Sequence, residues 1–442
     1  MKPKITTSLS WMDRARQEIV ELLRFRQQDG LPLTPNSRVV TFPVSRVYNS
    51  PSRDAVARFA PYPLLPSMAL PPGHAVSGSA GAGTGGPGVV VYRDAATKQL
   101  HAHVNQCRHR GASLLKSDTF SLSKTKPLKI PRLTCPYHAW TYDAISGSLL
   151  KVPGEDKQAF DGLDKSCRAL KPIKCFDKAG IIWIGNEEQF KNDTNKLWKM
   201  EEMHTALEPF LYSWDNNETN DDAGTLVGYH EWPQLPANWQ LLVETFLESY
   251  HVKTLHAKTL HPVTHPTGVM ASEWMDDGMN FRMTVPLKNF KVDGDDNDND
   301  NPQSFLGQTT TTHLLFPTAS VSLFKRFMIF LTIEPTAAAS STASSGGSGI
   351  SKIRAWAFSH PFYDPSSEET GSDRRRRDFE GIVAAVQEDW DMAVDIQSGL
   401  CHDNNSGETD FMHGTYEINN QKFLENVARA GAELQALRES GS

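Results

Sequence analysis

Cys107-Arg-His109-Arg-Gly111 and Cys135-Pro-Tyr-His138-Ala-Trp140 decide how this chain is read. In each stretch a cysteine is followed within three positions by a histidine. Both stretches stand where a strand would run into a tight turn. Two such pairs offer two sulfur and two nitrogen donors to one metal centre. Zinc accepts that set, but the Cys-x-His spacing is tighter than the Cys-x-x-Cys type usual in zinc fingers. A 2Fe–2S centre with thiolates on one iron and imidazoles on the other fits better. Trp140 and its neighbours provide an aromatic lid. Cys167, Cys175 and Cys401 have no histidine at short spacing and read as ordinary thiols.

Outward from the two pairs, residues 41–190 read as an all-β module. VVVY (89–92), LHAHVN (100–105), LTCPYHAW (133–140) and GIIWIG (180–185) are strand-like and separated by turn residues. From about 225 onward strands alternate with helices. The strands are 225–232, 280–287, 313–324, 326–334 and 352–360, and the helices 238–256, 375–400 and 417–438. The N-terminal 28 residues read as a helix. The expected organisation is therefore an α+β chain: a helical extension over 1–40, the β module over 41–190, and a mixed domain over 191–442. Low-complexity stretches at 78–88, 293–301, 337–349 and 366–377 read as surface loops, because none can bury enough apolar surface to offset its ordering. The run Arg374–Arg377 reads as a solvated helix start rather than a nucleic-acid patch.

Composition narrows the function. The 442 residues carry 45 Lys+Arg against 52 Asp+Glu, a net charge of −7, and 39 % are apolar. No run reaches the roughly 18–20 apolar residues of a membrane helix, and mild acidity argues against a nucleic-acid-binding surface. Five cysteines are too few for a disulfide scaffold. The N-terminus lacks the apolar core of a signal peptide, and Asp13, Glu18 and Glu21 weaken a mitochondrial reading. A reducing, cytoplasmic setting is expected.

A second constellation lies in Asn238-Trp-Gln-Leu-Leu-Val-Glu244-Thr-Phe-Leu-Glu248-Ser-Tyr-His251-Val-Lys-Thr-Leu-His256. It is apolar enough for a buried helix, and charged groups within such a helix need partners. Glu248 and His251, three apart, share a face. His251 and His256, five apart, would be splayed by about 140° on an ideal helix. A common ligand role requires the helix to loosen between them. His261 and His265 stand beside Pro262 and Pro266, beyond the helix end.

CRHRG…CPYHAW resembles the Rieske fingerprint of ring-hydroxylating oxygenases, with an insert (SDTFSLSKTKPLKIPR) longer than that family's usual connection. NW…E-x3-E-x2-H-x4-H resembles the same family's mononuclear-iron motif, and Glu388-Asp389…Gln397-Ser-Gly399-Leu its third-ligand segment. The resemblance implies a Rieske β domain followed by a helix-grip (START-like) catalytic domain, an antiparallel sheet wrapped around a long helix. It implies a 2Fe–2S cluster on Cys107, His109, Cys135 and His138, and a mononuclear Fe(II) on His251, His256 and Asp389, with Asp391 the fallback. The resemblance further implies electrons from NAD(P)H through a separate reductase or ferredoxin. The resemblance also implies a homotrimer, in which Glu248 joins His251 to a neighbouring subunit's His138. Glu248, where most ring-hydroxylating members carry Asp, is similar to the branch that oxidises choline, glycine betaine and carnitine; Thr245 agrees. Tyr229, Trp232, Trp274, Phe316 and Trp356 are candidate walls for a cation, or simply aromatic sheet core. The competing expectations are an aromatic-ring dihydroxylase, a Rieske electron-transfer protein without oxygenase activity, and a zinc-stabilised binding module.

Overall fold

Cys107 and Cys135 belong to one compact unit of the computed structural model, and His251 and Asp389 to another. The smaller unit comprises residues 59–195 and 211–219, and the larger comprises 1–58, 196–210 and 220–442. The described residues are 10–29, 39–43, 47–48, 51–57, 61–78, 88–115, 131–154, 160–185, 199–211, 225–292, 302–336, 349–363, 371–402 and 410–440. Most of the low-complexity stretches (79–87, 293–301, 337–348, 366–370) and of the insert (117–130) lie outside them.

Among the described residues the smaller unit has three antiparallel sheets. A four-stranded sheet runs in the order Ala75–Gly78, Val89–Arg93, Leu100–Val104, Pro172–Ile173. Val89, Val90, Val91 and Tyr92 are all buried, so this strand is covered on both faces and reads as an unbroken apolar run. A three-stranded sheet joins Cys175–Lys178, Ile181–Ile184 and Tyr62–Pro66. Arg93 links the two: fully buried, it pairs with Asp177 at 3.0 Å and donates to Ser67 Oγ and the Leu70 carbonyl. Those partners offset the desolvation that a buried guanidinium suffers. The third sheet, Arg132–Thr134, Thr141–Asp143 and Leu149–Lys151, carries the second cysteine loop in its first hairpin.

The larger unit is organised by a seven-stranded antiparallel sheet. Its order is Leu226–Leu235, Ser351–Phe358, Met328–Pro335, Ala319–Leu323, Thr309–Leu315, Asn280–Pro286, Ala271–Met275. Side chains alternate across it. One face carries Trp232, Phe281 and Phe316 toward the helices: Trp232 meets Trp390 of the helix Gly371–His402, and Phe316 meets Phe423 of the helix Ile418–Ser440. The other face carries Tyr229, Trp356, His313 and Arg282. The N-terminal helix Ser10–Asp29 packs there through Trp11, over which Arg282 stacks at 4.5 Å.

Three expectations change. Residues 41–58, expected in the β module, belong to the larger unit. Val40–Pro43 pairs with Asp410–His413, and the Tyr48 hydroxyl bonds Glu244. The helix expected over 238–256 is only Trp239–Glu244. Asn238 caps its start by accepting from Gln240 N at 2.8 Å. Its last turn tightens, the amides of Phe246 and Leu247 bonding the carbonyls three residues back, and helix does not resume because Glu248 captures the amides of Tyr250 and His251. Finally, the arginine run does open the helix Gly371–His402, but Arg375 is buried, stacked over Tyr363 and bonded to Ser359. Its three neighbours are exposed.

Candidate metal centres

The two cysteine loops of the smaller unit are near copies. In each, the cysteine amide donates to the carbonyl five residues on (Cys107 to Ala112, Cys135 to Trp140, both 2.8 Å). In each, the amide of the fourth residue on returns to the cysteine carbonyl (Gly111 to Cys107, Ala139 to Cys135, both 3.0 Å). That fourth residue has positive φ both times: +82° at Gly111 and +58° at Ala139. Glycine takes this conformation freely, whereas alanine does so at a cost of about 1–2 kcal/mol.

These loops face one another. Cys107 and Cys135 are buried and free, and the Nδ1 atoms of His109 and His138 stand 3.2 Å apart. Two imidazole nitrogens aimed at one point, beside two thiols in a dry cluster with Trp140 and Tyr142, suit a centre with two sulfur and two nitrogen ligands. Trp140 stacks on His109 at 4.7 Å, and Phe160 closes on both edge-on. Tyr142 accepts from the Arg108 amide at 2.9 Å and stands 3.3 Å from Cys107 Sγ, to which its O–H donates once the sulfur is a thiolate. Burial and that contact raise the Tyr142 pKa, so the phenol stays a donor. Burial also raises the Cys107 thiol, and a bound metal must offset this to draw out the thiolate.

In the larger unit His251, His256 and Asp389 bring one ligand atom each to within 4.8 Å of the others. The histidines lie in successive turns after the short helix, and Asp389 lies mid-way along the helix Gly371–His402. Gln397 on that helix accepts from the Asn238 amide at 2.9 Å, tying it to the start of the histidine segment. Each ring is oriented by a carboxylate on its Nδ1: Glu248 for His251, Glu388 (2.7 Å) for His256. Each Nε2 then faces Asp389 Oδ1, at 3.4 and 3.1 Å. Burial opposes charge on His256, but Asp389 and Glu388 outweigh it and raise its pKa. Two imidazoles and a carboxylate, with both Nδ1 atoms already engaged, suit a divalent iron with open coordination positions.

Asp391, the alternative third ligand, is exposed and accepts from Gln387 on its own helix. His261 and His265 stand apart from the triad. They line a separate cavity of about 460 Å³ beside the stacked pair Tyr250 and Tyr416. The five aromatic candidates do not line the cavity at the triad. Trp232 bonds Gln387, Trp274 bonds Asn419, and Tyr229 and Trp356 occupy the far face of the sheet. That cavity, about 410 Å³, includes His251 and Asp389 in its wall. Tyr48 and Phe411 supply its aromatic surface, and Glu244, Glu248, Asp410 and Glu417 add carboxylates. Tyr48, Glu388, Phe411 and His413 are the residues that sequence reasoning missed. The acid beside Asp389 was in view, and only Tyr48 and the 410–413 strand required the fold.

Residues 60–177 match the Rieske 2Fe-2S domain family, and residues 223–433 match the family described as ring hydroxylating alpha subunit (catalytic domain). The anthranilate 1,2-dioxygenase large subunit of Acinetobacter baylyi is 31 % identical over 187 residues, 42 % of this chain and 36 % of that one. The glycine betaine monooxygenase oxygenase subunit of Pseudomonas aeruginosa is 31 % identical over 163 residues, 37 % of this chain and 32 % of that one. The chain thus spans about a third of the length of these curated relatives. The quaternary ammonium Rieske monooxygenase CntA in complex with L-carnitine superposes with TM-score 0.60 at 17 % identity, over 90 % of this chain and 96 % of that one. Naphthalene 1,2-dioxygenase from Rhodococcus sp. superposes with TM-score 0.60 at 18 % identity, over 94 % and 98 %. At such identities the likeness is one of fold.

Proposed function

Because the chain carries both the Rieske domain and the alpha-subunit catalytic domain of the ring-hydroxylating oxygenases, we propose that it is the terminal oxygenase of a multicomponent system. The observation that carries this reading is the convergence of His251, His256 and Asp389 in a chain that also holds the paired Cys-His loops. Cys107, His109, Cys135 and His138 would hold the 2Fe–2S cluster, and His251, His256 and Asp389 the mononuclear iron. When bound, the cluster supplies single electrons and the iron supplies dioxygen activation for insertion into a substrate bond.

The protein's own part is orientation and exclusion of water. Glu248 and Glu388 hold the Nδ1 protons of the two histidines and so present Nε2 inward. Trp140 and Phe160 shield His109. On this reading the protein is a homotrimer, and Glu248 carries the electronic link between His251 and a neighbouring subunit's His138. Electrons come from NAD(P)H through a separate reductase or ferredoxin. The free thiols required by a cluster suit a reducing, cytoplasmic compartment, and no helix among the described residues is long and apolar enough to cross a membrane.

The substrate we propose is a quaternary ammonium compound, oxidised as by a choline monooxygenase. Glu248 and Thr245 support it, as do the relatives named for glycine betaine and carnitine. The carboxylate-rich cavity at the triad suits a cation better than a neutral arene. Ring dihydroxylation is the second reading, favoured by the anthranilate and naphthalene relatives. Chemically reduced, iron-loaded protein mixed with oxygen and a panel of choline, glycine betaine, carnitine, benzoate and naphthalene distinguishes the two. Oxidised amine is expected. A cis-dihydrodiol from an arene would transfer the assignment to the second reading, and no product from either class would overturn the oxygenase reading.

A further inference from the structure

Glu244 is a buried carboxyl with too few partners. Both of its oxygens accept from one donor, the Tyr48 hydroxyl, at 3.0 Å. His413 Nε2 stands 3.7 Å away, and burial lowers the His413 pKa, so that ring is neutral at physiological pH. A buried carboxylate with a single neutral donor is costly, and such a group either takes up a proton or awaits a cation.

Glu244 also forms part of the wall of the cavity that holds His251 and Asp389. Its described lining has five carboxylates (Glu244, Glu248, Asp389, Asp410, Glu417) and no lysine or arginine. Beside Thr245, Asn420 and two histidines, the lining includes weakly hydrated surface from Leu255, Met392, Phe411 and Met412, with Tyr48 and Phe411 in ring contact at 6.0 Å. Acid side chains beside aromatic and thioether surface attract a large, poorly hydrated cation.

We propose that the cationic head of the substrate seats against Glu244 and that its arrival expels the carboxyl proton to solvent, so that binding and proton release are one event. The inference rests on the reading of the chain as a quaternary-amine oxygenase and adds the group that recognises the charge. In the balance, Glu244–COOH and the free cation become a carboxylate–cation pair and one released proton. Burial pushes the Glu244 pKa up to about 8, with Tyr48 and Arg53 acting against it and Glu417 with it. The other titratable groups facing this cavity are Glu248, His251, Asp389, Asp410 and His413. Because Glu244 is neutral in the empty cavity below pH 8, affinity rises about tenfold per pH unit up to that point and then levels.

Calorimetric titration of iron-loaded, oxygen-free protein with choline tests this. At pH 7, buffers of different ionisation enthalpy should report about one proton released per choline bound. The uncharged isostere 3,3-dimethylbutan-1-ol should bind more weakly at pH 8.5 and without pH dependence. Glu244→Gln should release no proton and bind choline at least about tenfold more weakly at pH 8.5. Should Glu244→Gln not fold, Tyr48→Phe serves instead. It removes the bond that lowers the Glu244 pKa, so the levelling point moves to higher pH. Choline binding with flat pH dependence and no proton release would overturn the inference and leave the substrate reading standing. Equal affinity for the isostere would do the same. No binding of choline, glycine betaine or carnitine at any pH would overturn both.

Discussion

Around Cys107 and Cys135 the backbone holds the donors in place. Two loops of the same hydrogen-bond pattern, each closed within six residues, set two thiols and two imidazoles face to face. Around His251 and His256 the backbone is irregular, and side chains do the holding: Glu248 from within the segment, Glu388 and Asp389 from a helix 132 and 133 residues beyond His256. The first centre is therefore a local structure set by two short loops. The second exists only when the larger unit has folded and Gln397 has drawn the long helix to Asn238. Substitutions should separate the two: near the cluster they should tune, and near the triad they should abolish.

The largest effect is expected at Asp389. On the proposed ligand assignment, Asp389→Ala removes the mononuclear iron and reduces turnover to background, while the visible spectrum of the cluster is unchanged. Asp391→Ala, on the exposed side of the same helix, should stay within about twofold of the parent. Retained turnover in the first and loss in the second would exchange the two carboxylates. Next in size is Glu388→Gln. Loss of the carboxylate on His256 Nδ1 should weaken iron binding about 10–100-fold, read by competition with a chelator. Unchanged affinity would reduce Glu388 to a surface partner of Thr259.

Smaller effects are expected at the cluster. Tyr142→Phe deletes the hydrogen bond to Cys107 Sγ, which favours the more negative, reduced centre. A bond worth about 1 kcal/mol corresponds to roughly 40 mV for one electron. The midpoint potential should fall by that order, with the spectrum intact; a rise would contradict the donor direction assigned to the phenol. Smallest is Ala139→Gly. Relief of positive φ at the position matching Gly111 offsets the added freedom of the unfolded chain, so thermal stability should rise by no more than about 1 kcal/mol. A clear loss would mean that the Ala139 methyl packs in a way Gly111 has no need of.

The same contrast governs what could be read from the sequence. The cluster loops were legible because each is written in consecutive residues. Cys-x-His and Cys-x-x-His name the ligands, and Gly111 marks the turn. His251 and His256 were visible but ambiguous, since helical spacing alone splays them. The side-chain capture of the 250 and 251 amides by Glu248 leaves no periodic signal. Asp389 was reached only through the resemblance, because nothing local ties a mid-helix aspartate to a segment 133 residues earlier. Tyr48 was out of reach. It lies in a stretch whose short strand and turn looked like part of the β module, and only its pairing partners at 410–413 and its bond to Glu244 place it in the larger unit.

Iron and acid-labile sulfide per chain, measured on the purified parent and on two variants, test most directly the claim that one chain holds two independent centres. The parent should contain about three irons and two sulfides, Cys135→Ala about one iron and no sulfide, and His256→Ala about two irons and two sulfides with an unchanged visible spectrum. Loss of sulfide from a folded His256→Ala protein, or a parent loaded with zinc and colourless, would contradict the account.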